Sequence, residues 1–154
     1  MEVEFKPEVN LVEIKTKFAH LMDFDKHPDL GIQLHNALAK HMDPYVPMDT
    51  GMLSTSRLIT PHYVEYTQPY AHYQYTGIVY GPNIPVIENG IVTGWFSPPG
   101  KGSKYSTGKP IQYSREMHPL ATHHWDKAMM RDKGDVFVKE VGKIIKRWLK
   151  NNGK

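Results

Sequence analysis

The residues that invite a chemical reading fall into three groups. Asp49-Thr50-Gly51 has the order found in retroviral-type aspartic proteases, where two aspartates from two copies share one proton. Those enzymes favour a β-rich run before the aspartate and a small residue after the glycine. Here Pro44 and Pro47 break a helical pattern just upstream, and Met52 follows Gly51. A turn fits the segment better than a catalytic dyad. The second group is His118, His123, His124 and Asp126. Adjacent histidines on a helix point about 100° apart, and no cysteine or His-x-x-x-His pair completes a metal cage. Packing and buffering are the better account, and the same holds for His72. The third group is nucleophilic or phosphate-binding. Ser54, Ser56, Ser97, Ser103 and Ser106 lack a Gly-x-Ser-x-Gly elbow, and neither Asp49 nor Glu65 has a carboxylate partner in sequence. Gly100-Lys101-Gly102-Ser103-Lys104 lacks P-loop spacing and a buried strand leading into it. The sequence therefore predicts no catalytic residue, no metal and no cofactor.

The elements around these residues follow from periodicity. Glu2 to Lys6 alternates as a short strand with Val3 and Phe5 on one face, and Leu11, Ile14, Phe18 and Leu21 recur as the stripe of a short helix after Asn10. Leu30, Leu34, Ala37, Leu38, His41 and Met42 mark a helix from about Pro28 to Met42. Pro44 and Pro47 end it, because neither can donate an amide and each pushes the preceding residue out of the helical region. Asp49, Thr50 and Gly51 then turn the chain, with Gly51 taking a positive φ.

Strand-type residues follow over 53–60 and 62–67. In the row Tyr70, Tyr73, Tyr75 and Tyr80, period two puts Tyr73 and Tyr75 on one strand face. Asn89-Gly90 between apolar runs predicts a hairpin, and 97–108 reads as a flexible loop, with Ile111 to Tyr113 returning to the sheet. A helical segment starts at Pro119 and is broken or bent at Gly134. Asp135 then caps a last helix whose stripe is Phe137, Val141, Ile144, Ile145, Trp148 and Leu149, before a frayed end at 151–154. The expected fold is one α+β domain over 1–154: a small, mostly antiparallel sheet, N-terminal and C-terminal helices, and a projecting hairpin or loop.

Composition sets the bounds. A chain of 154 residues and 17.7 kDa is enough for one self-sufficient core, and 40% hydrophobic with 23% charged residues is ordinary for a folded protein. The absence of cysteine removes disulfides and thiolate chemistry, and suits a reducing cytoplasm. No secretory signal core and no run of about 20 apolar residues is present, so no membrane association is expected. The mild charge of +3 comes largely from Lys139, Lys143, Lys146, Arg147, Lys150 and Lys154 against Glu140. That face reads first as a solvated helix surface, with weak DNA contact as the alternative.

Three ordered blocks carry a resemblance: Asp43 to Ser54, Tyr70-Ala71-His72-Tyr73-Gln74-Tyr75-Thr76-Gly77, and His124-Trp125-Asp126-Lys127-Ala128. Together they resemble the minor capsid and tail-completion (head–tail joining) proteins of tailed bacteriophages. The resemblance implies a structural virion protein at the neck, joining tail to DNA-filled head. Its partners would be other neck and tail proteins and further copies of itself in a ring. Pro47, Asp49, Thr50, Gly51 and Leu53 become a structural motif. Tyr70, Tyr73, Tyr75, Tyr80, Trp95 and Phe96 are the candidate interface, since tyrosine and tryptophan combine large buried area with a polar tip. The rivals are a dimeric Asp-Thr-Gly protease or other small hydrolase, and a nucleic-acid-binding module.

Overall fold

Leu30, Leu34, Leu38 and Met42 are wholly or almost wholly buried on one side of helix α1 (Pro28–Met42), which begins with proline where an amide donor is not needed. The computed structural model describes residues 1–4, 18–81, 84–96 and 105–152. The expected positions of Phe5, Leu11, Ile14 and the 97–104 loop lie outside the described residues. Phe18 and Leu21 border a 3-10 turn, Ala19–Leu21, with Leu21 in the core. At the far end of α1, Pro44 forces a second 3-10 turn, Asp43–Tyr45.

The long C-terminal helix, which is α4 (Trp125–Asn151), buries Phe137, Val141, Ile145 and Trp148. The Trp148 indole N–H donates to Asp29 at the start of α1, and His41 near its end meets Glu140. Early residues of one helix thus meet late residues of the other, so the two run antiparallel. The break or bend expected at Gly134 is present one residue earlier: two helical segments meet across a kink at Lys133 (φ −133°), and Asp135 lies just beyond it.

Between these helices the chain forms α2 (Met52–Thr55), β2 (Arg57–Ile59), β3 (Val64–Tyr66), α3 (Ala71–Thr76), β4 (Ile78–Gly81), β5 (Ile84–Glu88), β6 (Ile91–Phe96) and β7 (Tyr105–Pro110). With β1 (Glu2–Val3) they make antiparallel sheets of order β1-β3-β2, β4-β7 and β5-β6. The fold is α+β with antiparallel sheets and helices. Val3 pairs with Val64, and Val64 and Tyr66 turn into the core.

Four expectations change. Tyr73 and Tyr75 lie on helix α3 instead of a strand. The chain over 52–55 is helical, and strand structure begins at Arg57. The helical segment expected from Pro119 begins instead at Trp125. The loop expected over 97–108 gives way to β7 from Tyr105, with Ile111 bonding the Gly77 carbonyl just beyond it.

Gly51 takes φ +80° and starts α2; its carbonyl accepts the Thr55 amide and both the Ser54 and Thr55 hydroxyls. The Arg57 guanidinium bonds Asp43 across this joint. Adding a Cβ at Gly51 imposes a left-handed conformation on an L side chain and brings it 3.1 Å from Met48 Cε. Gly51→Ala is therefore expected to lower unfolding free energy by about 1–2 kcal/mol. Denaturant titration measures this, and an unchanged midpoint contradicts it.

His35 is fully buried, donates from Nδ1 to the Gly31 carbonyl at 2.9 Å and packs its ring against Phe24. Burial pushes its imidazole below the ordinary range, and burial lowers His124 too. The His41 contact lowers the Glu140 carboxyl. Unfolding lets a histidine of this kind take up a proton, so its contribution is complete above about pH 6.5 and falls as pH drops. Glu140 adds a second loss below about pH 4.3, as its pairing is protonated away. Melting curves across this range should show Tm falling in both windows; a flat Tm from about pH 7 to about pH 5 contradicts a neutral buried His35.

Candidate functional site

Trp125 is fully buried at the start of α4, where the second and third of the sequence blocks that carry the resemblance meet, while the first bonds the segment leading into that helix. The Tyr66 and Tyr75 rings approach its ring edge-on, with centroids at 5.2 and 5.0 Å. Tyr75 comes from the second block: its carbonyl accepts the His124 amide at 2.9 Å, and its hydroxyl donates to Asp126 at 2.9 Å. Burial, with the Asp126 bond and charge, holds the Tyr75 phenol above its usual range. The first block enters through its backbone. The Tyr45 carbonyl accepts the Thr122 amide, and the Val46 carbonyl lies 2.7 Å from His118 Nδ1.

These bonds explain α3 as well. Gly77 closes it at φ +74°, and a Cβ there would come 2.7 Å from His123 Cβ, so the helix end fits closely against the segment leading to α4. Tyr113 donates to the Gln74 carbonyl at 2.6 Å, and burial pushes its phenol up to about 12. Because Tyr75 must serve Trp125 and Asp126, it is half-buried and engaged within the chain.

The motif residues divide between core and surface. Gly51 and Leu53 are buried, Pro47 is half-buried, and Asp49 and Thr50 are exposed. Pro47, Asp49, Thr50, Met52, Leu53 and Tyr70 line a groove of about 290 Å³. Asp49 is the only acid among its lining residues, and no histidine or lysine joins it. An aspartic protease dyad needs a second carboxylate close enough to share a proton; one copy supplies one.

Among the described residues, no group of three or more His, Cys, Asp and Glu side chains could hold a metal ion. His123 and His124 face each other with Nδ1 atoms 2.8 Å apart, while His118 is committed to Val46. The histidines that cluster in sequence are thus engaged in structural contacts, His123 with His124 and His118 with Val46.

Of the candidate interface residues, Tyr70 is 39% exposed on the groove rim, while Tyr73 and Tyr80 are half-buried with rings 4.8 Å apart. Trp95 and Phe96 fall at the end of β6, and their side chains lie outside the described residues. Sequence reading missed a larger exposed set on the β5–β6 hairpin: Ile87, Ile91 and Val92 are 61%, 68% and 50% exposed. The signal was in the sequence, since Val86-Ile87 and Ile91-Val92 are adjacent aliphatics where a half-covered strand would alternate. On α4, Lys139, Lys143, Lys146, Arg147 and Lys150 project along the outer side, and Glu140 turns toward His41 and Lys40.

No curated protein and no solved structure matches this chain. A family model described as "Minor capsid protein" matches residues 6–148, nearly the whole of it. The chain therefore belongs to this minor capsid protein family, whose role is structural, in the phage virion.

Proposed function

We propose that the protein is a neck component of a tailed phage, completing the tail end or joining the tail to the DNA-filled head as a ring of copies. The observation that carries this reading is the junction at Trp125. Of the three blocks that resemble tail-completion proteins, the second and third meet there through packed rings and one tyrosine–aspartate bond, and carbonyls of the first hold the segment leading into it. These are architectural contacts, which suits a part whose work is to hold shape within a larger assembly.

The proposed partners are neighbouring neck and tail proteins and further copies of the chain. A weak contact between the basic stripe of α4 and DNA phosphates is part of the proposal; such a contact would weaken steeply with salt. Assembly takes place in the host cytoplasm. Among the described residues, no helix is long and apolar enough to cross a membrane.

A second reading draws on Asp49, which stands exposed in its groove. As a dimeric Asp-Thr-Gly protease, the protein would lose its activity in Asp49→Asn with the fold retained. Under the neck reading, phage carrying Asp49→Asn keep their infectivity.

Electron microscopy of lysates from phage lacking this gene tests the joining role. DNA-filled heads beside unattached tails are expected. Intact, infectious virions overturn the neck reading.

A further inference from the structure

The β5–β6 hairpin is made to be covered, and no other element among the described residues covers it. Asn89 and Gly90 take φ +51° and +80°, the left-handed pair that a tight two-residue hairpin turn requires. Every residue from Pro85 to Thr93 is exposed, and the two strands pack chiefly on each other. Ile87 pairs with Val92 and Glu88 with Ile91, so aliphatic side chains stand on both faces near the tip. A lone two-stranded hairpin is marginal in water, and exposed aliphatics on both faces favour burial elsewhere. Glu88 is the only charge between Ile84 and Phe96, and it makes no ion pair among the described residues.

A complementary socket lies elsewhere on the same chain. A pocket of about 200 Å³ is lined by Tyr45, Arg115, Pro119, Leu120, Arg131 and neighbouring residues. Leu120 in its wall is 45% exposed, and nearby Met117 is 62% exposed. Arg131 is neutralised by Asp132, which it bonds at 2.7 and 3.3 Å. Arg115 has no ion pair among the described residues. The pocket therefore offers an exposed aliphatic side chain, Leu120, within a largely polar rim whose one cation without an ion pair among the described residues is Arg115, a site for one carboxylate flanked by aliphatics.

We propose that the hairpin tip of one copy seats in this pocket of the next copy, with Glu88 meeting Arg115 and Ile87 and Ile91 covering Leu120 and Met117. The inference rests on the ring reading above and names its contact. Because knob and socket are different surfaces, the contact is heterologous, the kind that closes into a ring. The tip is small beside the ~800 Å² per partner of a standard interface. Ring closure and attachment to the particle would supply the remaining strength by multivalency.

The absence of native cysteine makes the test direct. Virions are prepared with Ile87→Cys, Leu120→Cys or both, and treated with a short bismaleimide. The double variant should give a ladder of cross-linked oligomers, and either single variant only monomer. Co-expression of the two single variants should stop at dimers. Glu88→Arg introduced into the double variant should cut the ladder at least tenfold, and Arg115→Glu added to it should restore the ladder.

Monomer alone from the double variant, in particles whose neck holds several copies, overturns the hairpin contact and leaves the ring reading standing. Cross-linking of the Ile87→Cys thiol to a different virion protein overturns it also, assigning the hairpin to that partner. A particle with one copy overturns both readings.

Discussion

The antiparallel clasp of α1 on α4 is the contact on which the other parts depend. Leu30, Leu34, Leu38 and Met42 supply one side and Phe137, Val141, Ile145 and Trp148 the other, all in one buried cluster. Each such side chain contributes about 1.5–3 kcal/mol on burial, whereas a partly exposed ion pair contributes about 0–1 kcal/mol. Attraction between the helices is therefore mainly apolar. The polar contacts at Asp29–Trp148 and His41–Glu140 fix the register in which that surface meets. The register matters because it places Trp125, at the beginning of α4, beside the chain just beyond the end of α1. There it can receive Tyr66 from the sheet and Tyr75 from α3.

Much of this clasp was legible in the sequence. The leucine spacing of α1, the stop at Pro44, the turn glycine at Gly51, the stripe from Phe137 to Trp148 and the Asn89-Gly90 hairpin all depend on neighbours within a turn or two of chain. The tyrosine row was not read correctly, because Tyr73 and Tyr75 satisfy period two while the six residues of α3 are too few to display a helical period. Its helix is held by long-range bonds, from Tyr75 to Asp126 and from Tyr113 to Gln74, that local patterning does not encode. Gly77 was the available clue, as a glycine that closes a helix in the left-handed region.

The start of α4 was misplaced for a similar reason. His124 takes φ +46° immediately before the helix, a conformation held by its amide bond to Tyr75. The His124–Ala128 block marks Trp125 in the sequence but not its role, which comes from elements far apart in the chain meeting on its ring. The Asp-Thr-Gly triplet suggests chemistry when read alone. In the fold its glycine shapes the backbone and its exposed aspartate lacks the second acid a dyad requires within one copy. The motif thus belongs to the joint that orients the sheet against the clasp.

Among the described residues, the aliphatic hairpin and the pocket beside Arg115 are surfaces the fold leaves open, and the proposed ring joins them. Cryo-electron microscopy of the intact virion is the most direct measurement of that claim. It should find this chain as a closed ring at the vertex between head and tail, each hairpin reaching the neighbouring copy. Copies spread over the capsid shell, or a head–tail vertex without this chain, would contradict it.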